Sequence, residues 1–416
     1  MKKLTSLSGL LLSSLILSAV TQAEIIQPQQ PDPKYGDQLL SPFYLWDQDV
    51  PSQAGTLLRH EPLSEGIRIQ ESDQQYRILF TSTNGLDSQS ATVVSGSLFL
   101  PKGTPPKGGW PLLVWGHGTV GLADKCAPSW NGRVYRNAYY LSEWLKKGYA
   151  VVEPDYQGLG TPGPHLLINV PQLSFNMLDS ARAVLKGNFP LANQVIIAGQ
   201  SQGGAAAFGA ASYAERYASD LNVKGTIATG VIYRKKDATT TVLSPVNRFK
   251  PNPALAYTVL GFHVLQQYDS SLKTTDVFTE KGAKLVEHAR SQCIGDIFSD
   301  VAFEQLSQAD ALLEQPHPRY AALQKLMTDQ YSYYPTLKIN HPVFIGTGAE
   351  DKTPDARSQL QLVKDACAAG TNVQFKLYHG HGHSEAVPRS LQDAQQFAQR
   401  VLSNQKIENT CQQNFE

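Results

Sequence analysis

The segment Gly199-Gln200-Ser201-Gln202-Gly203 restricts the possible folds of this chain more than any other part of the sequence. The apolar run Val195-Ile196-Ile197-Ala198 precedes it, and an Ala-rich helical pattern beginning at Gly204 follows it. A GxSxG motif between a strand and a helix is typical of a sharp turn that exposes a serine hydroxyl from a strained backbone. The segment therefore predicts a nucleophile elbow with Ser201 as the nucleophile. An ordinary turn is the alternative.

Short apolar runs alternate with helical patterns along most of the chain. The runs predicted to be strands are Tyr76–Thr81, Thr92–Leu100, Pro111–Trp115, Tyr149–Glu153, Gln194–Ala198, Val223–Ala228, Pro342–Gly346 and Val373–Tyr378. The helical patterns between and after them are Ala138–Lys147, Phe175–Lys186, Gly203–Tyr217, Ala356–Ala369 and Ser390–Leu402. Alternation of this kind predicts an α/β fold with a mainly parallel sheet that is covered by helices on both faces.

One interval interrupts this alternation. About a hundred residues separate the run ending near Gly230 from the run starting at Pro342, which is too long for a loop without structure. The interval has helical patterns of its own, at Leu255–Gln267, Glu280–Ser291, Val301–Glu314 and Tyr320–Asp329. We therefore expect a helical cap inserted at one edge of the sheet. The predicted divisions are a signal peptide (1–23), an N-terminal arm (24–65), a first core part (66–230), the cap (231–335) and a second core part (336–416).

The first residues have the pattern of an export signal. Met1-Lys2-Lys3 is basic, Leu10 to Val20 is mostly apolar, and Thr21-Gln22-Ala23 supplies small residues at the positions that signal peptidase reads. A membrane anchor is the alternative, but the apolar stretch is shorter than the ~20 residues that a spanning helix needs. The sequence predicts a secreted or periplasmic protein with no membrane segment after signal cleavage.

The cysteines support export to an oxidising compartment. They are even in number and widely spaced, at Cys126, Cys293, Cys367 and Cys411. Two disulfides are the expected arrangement, and the spacing leaves all three pairings open. No pair has the CxxC spacing that is typical of a zinc or redox site.

Charge balance argues against one class of partner. The chain has 36 Lys and Arg residues against 36 Asp and Glu residues, so it lacks the excess of positive charge that phosphate binding requires. No nucleic-acid partner is therefore expected. The sequence leaves the oligomeric state open.

A serine nucleophile needs a base, and the base needs an orienting acid. In the order typical of α/β hydrolases the acid comes first after the serine. The run from Val343 to Ile345 leads into a Gly-rich turn that ends at Asp351, which is the predicted acid. Glu350 and Asp355 are the alternatives.

The predicted base comes from the segment His379-Gly380-His381-Gly382-His383, directly after the last strand. His383 is chosen because it lies farthest past the strand end, on the loop before the last helix. His379 and His381 remain alternatives. A metal site is a second interpretation, but glycines separate the histidines and the cluster contains no carboxylate. No metal ion and no cofactor are expected.

The turn Trp115-Gly116-His117-Gly118-Thr119 ends another predicted strand. Backbone N–H groups in such a turn can stabilise the oxyanion that forms when serine attacks an ester. The amides of Thr119 and Gln202 are the predicted oxyanion hole, and a plain tight turn is the alternative. His117 is expected to support this turn by hydrogen bonding. The remaining histidines, His60, His165, His263, His288, His317 and His341, have no motif around them and are expected to be surface or packing residues.

Several further motifs occur in order along the chain. They are Ser41-Pro42-Phe43-Tyr44, Gly55-Thr56-Leu57-Leu58-Arg59, Cys126-Ala127-Pro128-Ser129, Gly148-Tyr149-Ala150-Val151-Val152 and Pro154-Asp155-Tyr156-Gln157-Gly158. Together with the elbow, the turn at Gly116 and the ends at Asp351 and His383, they resemble the secretory lipase family (LIP-type) of α/β hydrolases, with this chain as a bacterial member. The resemblance implies an eight-stranded core, a helical cap, Ser/Asp/His catalysis on carboxylic esters, and the disulfides Cys126–Cys293 and Cys367–Cys411.

The expected function is that of an exported serine hydrolase that cleaves carboxylic esters through an acyl-enzyme, as a lipase or carboxylesterase on a small-molecule or lipid ester. A serine peptidase or acyltransferase on the same fold is one alternative, and a non-catalytic binding protein is another. Residues of the cap are expected to form the acyl pocket, namely Phe262, His263, Leu265, Tyr268, Phe278, Phe298 and Phe303. The sequence does not fix the acyl chain length.

Overall fold

The computed structural model describes residues 26–236 and 247–413, so the predicted signal peptide lies outside the described residues. Within these ranges, nine strands form one sheet in the order β1-β2-β3-β5-β4-β6-β7-β8-β9. The strands are β1 (Leu57–Pro62), β2 (Ser72–Thr83), β3 (Ala91–Pro101), β4 (Trp110–Gly116), β5 (Ala150–Pro154), β6 (Leu191–Gln200), β7 (Val223–Thr229), β8 (Val343–Gly348) and β9 (Val373–Tyr378). The first three pair antiparallel, as do β3 and β5, and the pairs from β5 to β9 are parallel.

The prediction of eight strands was wrong by one edge strand. Leu57–Pro62, which the sequence placed in the N-terminal arm, pairs antiparallel with β2. Its side chains are half-buried or exposed, so it lacks the apolar alternation that marks a strand buried on one face. The strand β1 is stabilised by backbone hydrogen bonds to β2, and the hydropathy of its sequence does not reveal these bonds.

Helices cover both faces of the sheet. The helices before the end of β7 and after β8 are α1 (Pro128–Asn131), α2 (Tyr135–Lys146), α3 (Val170–Lys186), α4 (Gln202–Tyr217), α10 (Ala356–Ala368) and α11 (Ala386–Leu402). The helices between β7 and β8 are α5 (Leu255–Tyr268), α6 (Glu280–Ala289), α7 (Ile294–Phe303), α8 (Gln308–Ala311) and α9 (Pro318–Tyr331). Alternate residues of β4 point to opposite faces. Leu112 and Val114 pack with α3 and α4, whereas Leu113 and Trp115 pack with α2 and α11.

The helices between β7 and β8 bury an apolar cluster of their own, formed mainly by α5, α6 and α7. Each fully buried Leu or Phe side chain there contributes about 1.5–3 kcal/mol relative to an exposed one. The predicted helix Val301–Glu314 was wrong, because α7 begins at Ile294 and ends at Phe303, and a separate turn, α8, follows. Ser307 and Asp310 form a capping box that starts α8 anew. The proposed limits of the cap, 231 and 335, stay a prediction.

The N-terminal arm crosses the junction between the sheet and the helices of the cap. Its Asp37 carboxylate accepts hydrogen bonds from the amides of Asp32 (2.8 Å) and Gly163 (3.0 Å). Asp124, close to Asp37, accepts one from the Gln38 amide at 3.0 Å. Burial raises the pKa of Asp37 to about 6 and that of Asp124 to about 8. The arm is thus held by two buried carboxyl groups.

Two disulfides join distant parts of the chain. Cys126–Cys293 links the segment before α1 to the N-cap of α7, and Cys367–Cys411 links α10 to the C-terminal tail. The tail lies along β9, the last strand of the sheet. There the Thr410 hydroxyl donates to the Val373 carbonyl (3.0 Å) and accepts from the Phe375 amide (2.9 Å).

Candidate active site

Ser201 lies in the turn between β6 and α4, with φ 62° and ψ −120°. This left-handed backbone is rare for a residue with a side chain, and it marks a strained turn. A Cβ atom on Gly199 would lie 2.0 Å from the Gly203 carbonyl oxygen, and one on Gly203 would lie 1.8 Å from the Gly116 carbonyl oxygen. Both glycines are therefore required, because the elbow packs directly against the end of β4. The serine opens on a cavity.

Asp351 follows β8 and its side chain is fully buried. One carboxylate oxygen, Oδ2, accepts hydrogen bonds from His383 Nδ1 and from Gln359 Nε2, both at 2.8 Å. The other accepts from the Thr353 amide at 2.9 Å. These donors fix the carboxylate in one orientation. The acid thus has no freedom to turn away from the imidazole.

The two alternative acids lie elsewhere. Glu350 is exposed, and its backbone amide donates to the His381 carbonyl at 3.0 Å. Asp355 caps α10 through the Arg357 amide and forms an ion pair with the Arg357 guanidinium at 2.9 Å. Only Asp351 of the three is brought to the predicted base.

His383 lies between the Asp351 carboxylate and the elbow. Its Nδ1 faces the carboxylate and therefore carries the proton in the neutral ring, which leaves Nε2 as a hydrogen-bond acceptor. His379 is exposed and His381 is half-buried, and the histidine that bonds to the Asp351 carboxylate is His383. In residues 26–236 and 247–413, no cluster of His, Cys, Asp and Glu is arranged to hold a metal ion.

The Nε2 atom of His383 contacts a residue that the sequence did not single out. Gln200 Nε2 donates to it at 2.9 Å, and Arg136 Nη2 donates to Gln200 Oε1 at 3.4 Å. Among the described residues, no hydrogen bond joins His383 to the Ser201 hydroxyl. Such bonds are often long before substrate binds. The structure therefore brings the three predicted residues together but with the base engaged by Gln200.

The predicted oxyanion turn closes over the elbow. Thr119 and Ser201 both line the cavity, and the Thr119 amide has no acceptor within the described part of the chain. Gln202 is the first residue of α4, where backbone N–H groups have no partner inside the helix. Both predicted donors are thus placed near the serine with unused N–H groups.

Buried polar groups hold the oxyanion turn from below. The Tyr156 hydroxyl donates to the His117 carbonyl at 3.1 Å, and His117 Nε2 lies 3.2 Å from the Asp155 carbonyl oxygen. Burial lowers the pKa of the His117 imidazole. The Asp155 carboxylate accepts from the Ser95 hydroxyl (2.6 Å) and the Ser129 amide (2.8 Å). Asp155, Tyr156 and Ser129 belong to sequence motifs described above, but the sequence alone did not indicate a role for them.

A second glutamine of the elbow holds a second histidine. Gln202 Nε2 donates to His165 Nε2 at 2.9 Å and to the Leu167 carbonyl at 3.0 Å. His165 Nδ1 lies 3.1 Å from the Gln157 carbonyl, and burial lowers the pKa of His165 to about 3. His165 is therefore a neutral, buried support for the loop at Leu167, which lines the cavity. No local motif marks it, so sequence alone could not separate it from an ordinary packing histidine.

The cavity beside Ser201 has a volume of about 660 Å³. One face of α5 forms a wall of it, with residues spaced by three or four positions: Tyr257, Thr258, Gly261, Val264, Leu265 and Tyr268. Leu166, Leu167 and Ile168 add apolar surface, and Arg234 and Asp329 add charge.

The predicted set of pocket residues was only partly correct. Leu265 and Tyr268 line the cavity, but Phe262 and His263 are buried in the core of the cap. Phe278 is also buried there, Phe298 packs edge-on against Tyr257, and Phe303 is 87% exposed. Helical geometry places His263 opposite the cavity-lining residues 261, 264 and 268, whereas Phe262 lies at the edge of their face and turns into the cap.

The described part of the chain holds no helix with the length and apolarity needed to cross a membrane.

Comparisons with known proteins agree with this geometry. A sequence profile described as secretory lipase matches residues 133–408. The secreted triacylglycerol lipase LIP7 of Malassezia globosa is 23% identical over 361 residues, covering 81% of this chain and 73% of that protein. Lipase A of Moesziomyces aphidis is 22% identical over 404 residues, covering 91% and 82%. These relatives are fungal and do not support the predicted bacterial origin.

A solved structure shares the fold. Candida antarctica lipase A superposes with a TM-score of 0.69 at 21% identity, over 92% of this chain and 89% of that one. The predicted α/β-hydrolase fold is confirmed. Since the family profile covers more than half of the chain, this protein belongs to the secretory lipase family, whose members are ester-hydrolysing serine hydrolases.

Proposed function

We propose that Ser201, His383 and Asp351 are the catalytic residues with which this protein hydrolyses carboxylic esters. The observation that carries the proposal is the 2.8 Å hydrogen bond between His383 Nδ1 and Asp351 Oδ2, directly beside a serine with φ 62° that opens on a cavity. This arrangement supplies a nucleophile, a base and an orienting acid in the order typical of the fold.

The reaction follows from these positions. The Ser201 oxygen attacks the acyl carbonyl, its O–H bond breaks, and His383 Nε2 takes the proton. The resulting imidazolium is balanced by the Asp351 carboxylate and gives its proton to the leaving alcohol as the ester C–O bond breaks. Water then attacks the acyl-enzyme, with His383 taking its proton and returning it to Ser201. Acid and free enzyme are the products.

Two backbone amides are proposed to stabilise the oxyanion of each tetrahedral intermediate. They are those of Thr119 and Gln202, which lie on either side of the serine. Each such donor contributes about 3–4 kcal/mol in the transition state. The buried support of the turn by His117 and Tyr156 keeps the Thr119 amide in place before the reaction, so little reorganisation is needed.

The substrate is proposed to be a lipid ester whose acyl chain enters the cavity along α5. Leu166, Leu167, Val264 and Leu265 provide an apolar wall for that chain. The family is described as secretory, and the protein is accordingly placed outside the cytoplasm, with cleavage after Ala23 as the proposed maturation step.

Hydrolysis of p-nitrophenyl esters from acetate to palmitate tests the assignment. We expect Ser201→Ala and His383→Ala to lose almost all activity, and Asp351→Asn to lose about 10³- to 10⁴-fold in kcat. Asp355→Asn is the matched control, because Asp355 caps α10 instead of meeting His383. It should keep wild-type turnover with little change in stability, because Asn caps a helix about as well as Asp.

Two outcomes would contradict the proposal. Wild-type activity in Ser201→Ala would show that the elbow serine is not the nucleophile. Faster cleavage of an amide than of the ester with the same acyl group would show that the protein is a peptidase or amidase. Labelling of wild type but not of Ser201→Ala by a fluorophosphonate would identify the nucleophile directly.

A further inference from the structure

Gln200 forms a hydrogen bond to Nε2 of His383, the nitrogen with which the proposed base must accept the Ser201 proton. The Gln200 side chain is buried, with 1% of its surface exposed, and its Nε2 donates to His383 Nε2 at 2.9 Å. The Asp351 carboxylate accepts from Nδ1, so the proton of the neutral ring is on Nδ1 and Nε2 has a free lone pair. Gln200 thus donates into the lone pair that would otherwise accept the Ser201 proton.

The amide of Gln200 is held in this orientation. Arg136 Nη2 donates to Gln200 Oε1 at 3.4 Å, so the oxygen faces the guanidinium and the NH₂ group faces the imidazole. Gly118 leaves room for the amide, because a Cβ atom there would lie 3.0 Å from Gln200 Oε1. Turning the amide over would place its NH₂ group against the cationic Arg136.

This contact depends on the protonation of His383. Gln200 Nε2–H can bond to Nε2 only while that nitrogen has a free lone pair. Once Nε2 carries a proton, two N–H groups face each other and the bond is lost. The contact therefore stabilises the neutral ring over the imidazolium.

We propose that Gln200 is a positioning residue, which holds His383 as the neutral acceptor in the resting enzyme and releases it to Ser201 when substrate binds. The inference rests on the proposed function, since it takes His383 as the base. The Gln200–His383 hydrogen bond breaks first, on substrate binding; the Ser201 hydroxyl then donates to Nε2, and its proton moves there in the reaction. No other group is consumed.

Other charged and titratable groups around His383 belong to different elements. Asp351 lies after β8, Arg136 is on α2, and Tyr257 of α5 interacts electrostatically with both. Glu385, just before α11, accepts from the Gly382 amide at 3.1 Å. Of these groups only Arg136 contacts Gln200. A guanidinium that moved toward His383 would disfavour the imidazolium, so a rise of the acid-side midpoint in a Gln200 variant reports on the loss of the amide contact.

The pH dependence of kcat/KM with p-nitrophenyl butyrate tests the proposal. Gln200→Met removes the donor at nearly constant length, so His383 protonates more readily. The pH of half-maximal activity on the acid side should rise by about 0.5 to 1 unit. Gln200→Glu places a carboxylate beside the ring and should raise it further. Gln202→Met, which releases His165 but not His383, should keep the wild-type midpoint even if turnover falls.

The outcomes separate the two proposals. If folded Gln200→Met has the same acid-side midpoint as wild type, the proposed role of Gln200 is overturned. The proposed catalytic residues would still stand in that case, provided that Ser201→Ala and His383→Ala are inactive. Turnover at the wild-type rate in His383→Ala would instead overturn the proposed function. If Gln200→Met does not fold, as judged by thermal unfolding, Gln200→Asn withdraws the donor while keeping the amide, and the same shift is required of it.

Discussion

At the scale of single residues, the site depends on how closely its parts approach. The His383 ring lies against Gly230, which has φ +55° and follows β7. The same region of β7 supports the elbow, because the Ser201 amide donates to the Thr229 carbonyl at 3.0 Å. The base and the nucleophile are therefore positioned by neighbouring residues of one strand end.

Gly230→Ala should disable the base without touching a reacting atom. The new Cβ would lie 2.7 Å from His383 Cε1 and 2.9 Å from Nδ1, too close for the ring to stay in place. Since a displacement of about 1 Å can cost about 100-fold, we expect at least that loss in kcat/KM for p-nitrophenyl butyrate. Gly295→Ala is the control. That helical position is exposed with open space around it, and the change should keep activity and raise stability by about 0.5–1 kcal/mol. An active Gly230→Ala enzyme would contradict this account of the base.

Sequence patterns locate residues at strand ends, but they do not show contacts between them. The GxSxG motif and the strand spacing singled out Ser201, Asp351 and His383, because chemistry at this fold occurs where parallel strands end. Gln200, Arg136 and His165 could not be found in this way. Their roles come from side-chain contacts across more than thirty positions of sequence, which no local pattern encodes.

At the scale of elements, α5 is the helix that shapes the cavity. It is apolar on most sides, so the period of its hydrophobic residues does not select one face. This is why the sequence predicted the helix but mixed core residues such as Phe262 with cavity residues such as Leu265. Only the packing of α5 against α6 and α7 decides which face remains for substrate.

Gly261→Phe should shorten the acyl chains that the enzyme accepts. Gly261 lines the cavity, and no atom lies within 4 Å of the position where its Cβ would be. A phenyl group can therefore enter the cavity without displacing the helix. We expect kcat/KM to fall at least tenfold for palmitate and to change much less for acetate, which lies near Ser201. Gly295→Ala serves again as a matched helical control. An unchanged chain-length profile would show that acyl chains do not run along α5.

At the scale of the whole molecule, the N-terminal arm joins the sheet to the cap. The Arg290 guanidinium of the cap donates to the Lys34 carbonyl of the arm at 3.2 Å, while the Tyr44 hydroxyl lies 2.8 Å from the Ser129 hydroxyl beneath the oxyanion turn. The sequence predicted an arm over residues 24–65 but gave it no role. Its partners are far away in sequence, so only the folded chain reveals them.

The two buried carboxyl groups that hold the arm should make stability depend on pH. The pKa of Asp124 is raised to about 8 and that of Asp37 to about 6, both above the ~3.9 of an unfolded chain. The folded protein therefore binds more protons than the unfolded one between about pH 4 and pH 8, and its stability falls as the pH rises through that window.

Asp124→Asn removes one of these charges while keeping the shape of the side chain. We expect the variant to have a higher Tm than wild type at pH 8.5, because folded wild-type Asp124 is then ionised in a buried site. The difference should shrink toward pH 5, where Asp124 of the folded wild type is protonated and as uncharged as Asn. Asp87→Asn is the control, because Asp87 lies on an exposed turn. Burial raises its pKa there, but hydrogen bonds from Ser90 and Gln89 together outweigh burial and leave the pKa lowered. A Tm difference that is constant from pH 5 to pH 8.5 would show that ionisation of Asp124 is not the cause.

The C-terminal tail has a consequence for how copies of this protein behave in concentrated solution. A strand at the border of a sheet presents free backbone groups to which another chain can add, and this is a common route to aggregation. Thr410 uses both its donor and its acceptor on β9, and Cys411 anchors it there through the bond to Cys367. The tail thus covers the edge strand β9 and keeps other chains from pairing with it. Reduction of the Cys367–Cys411 disulfide would expose this edge and favour self-association of otherwise folded molecules.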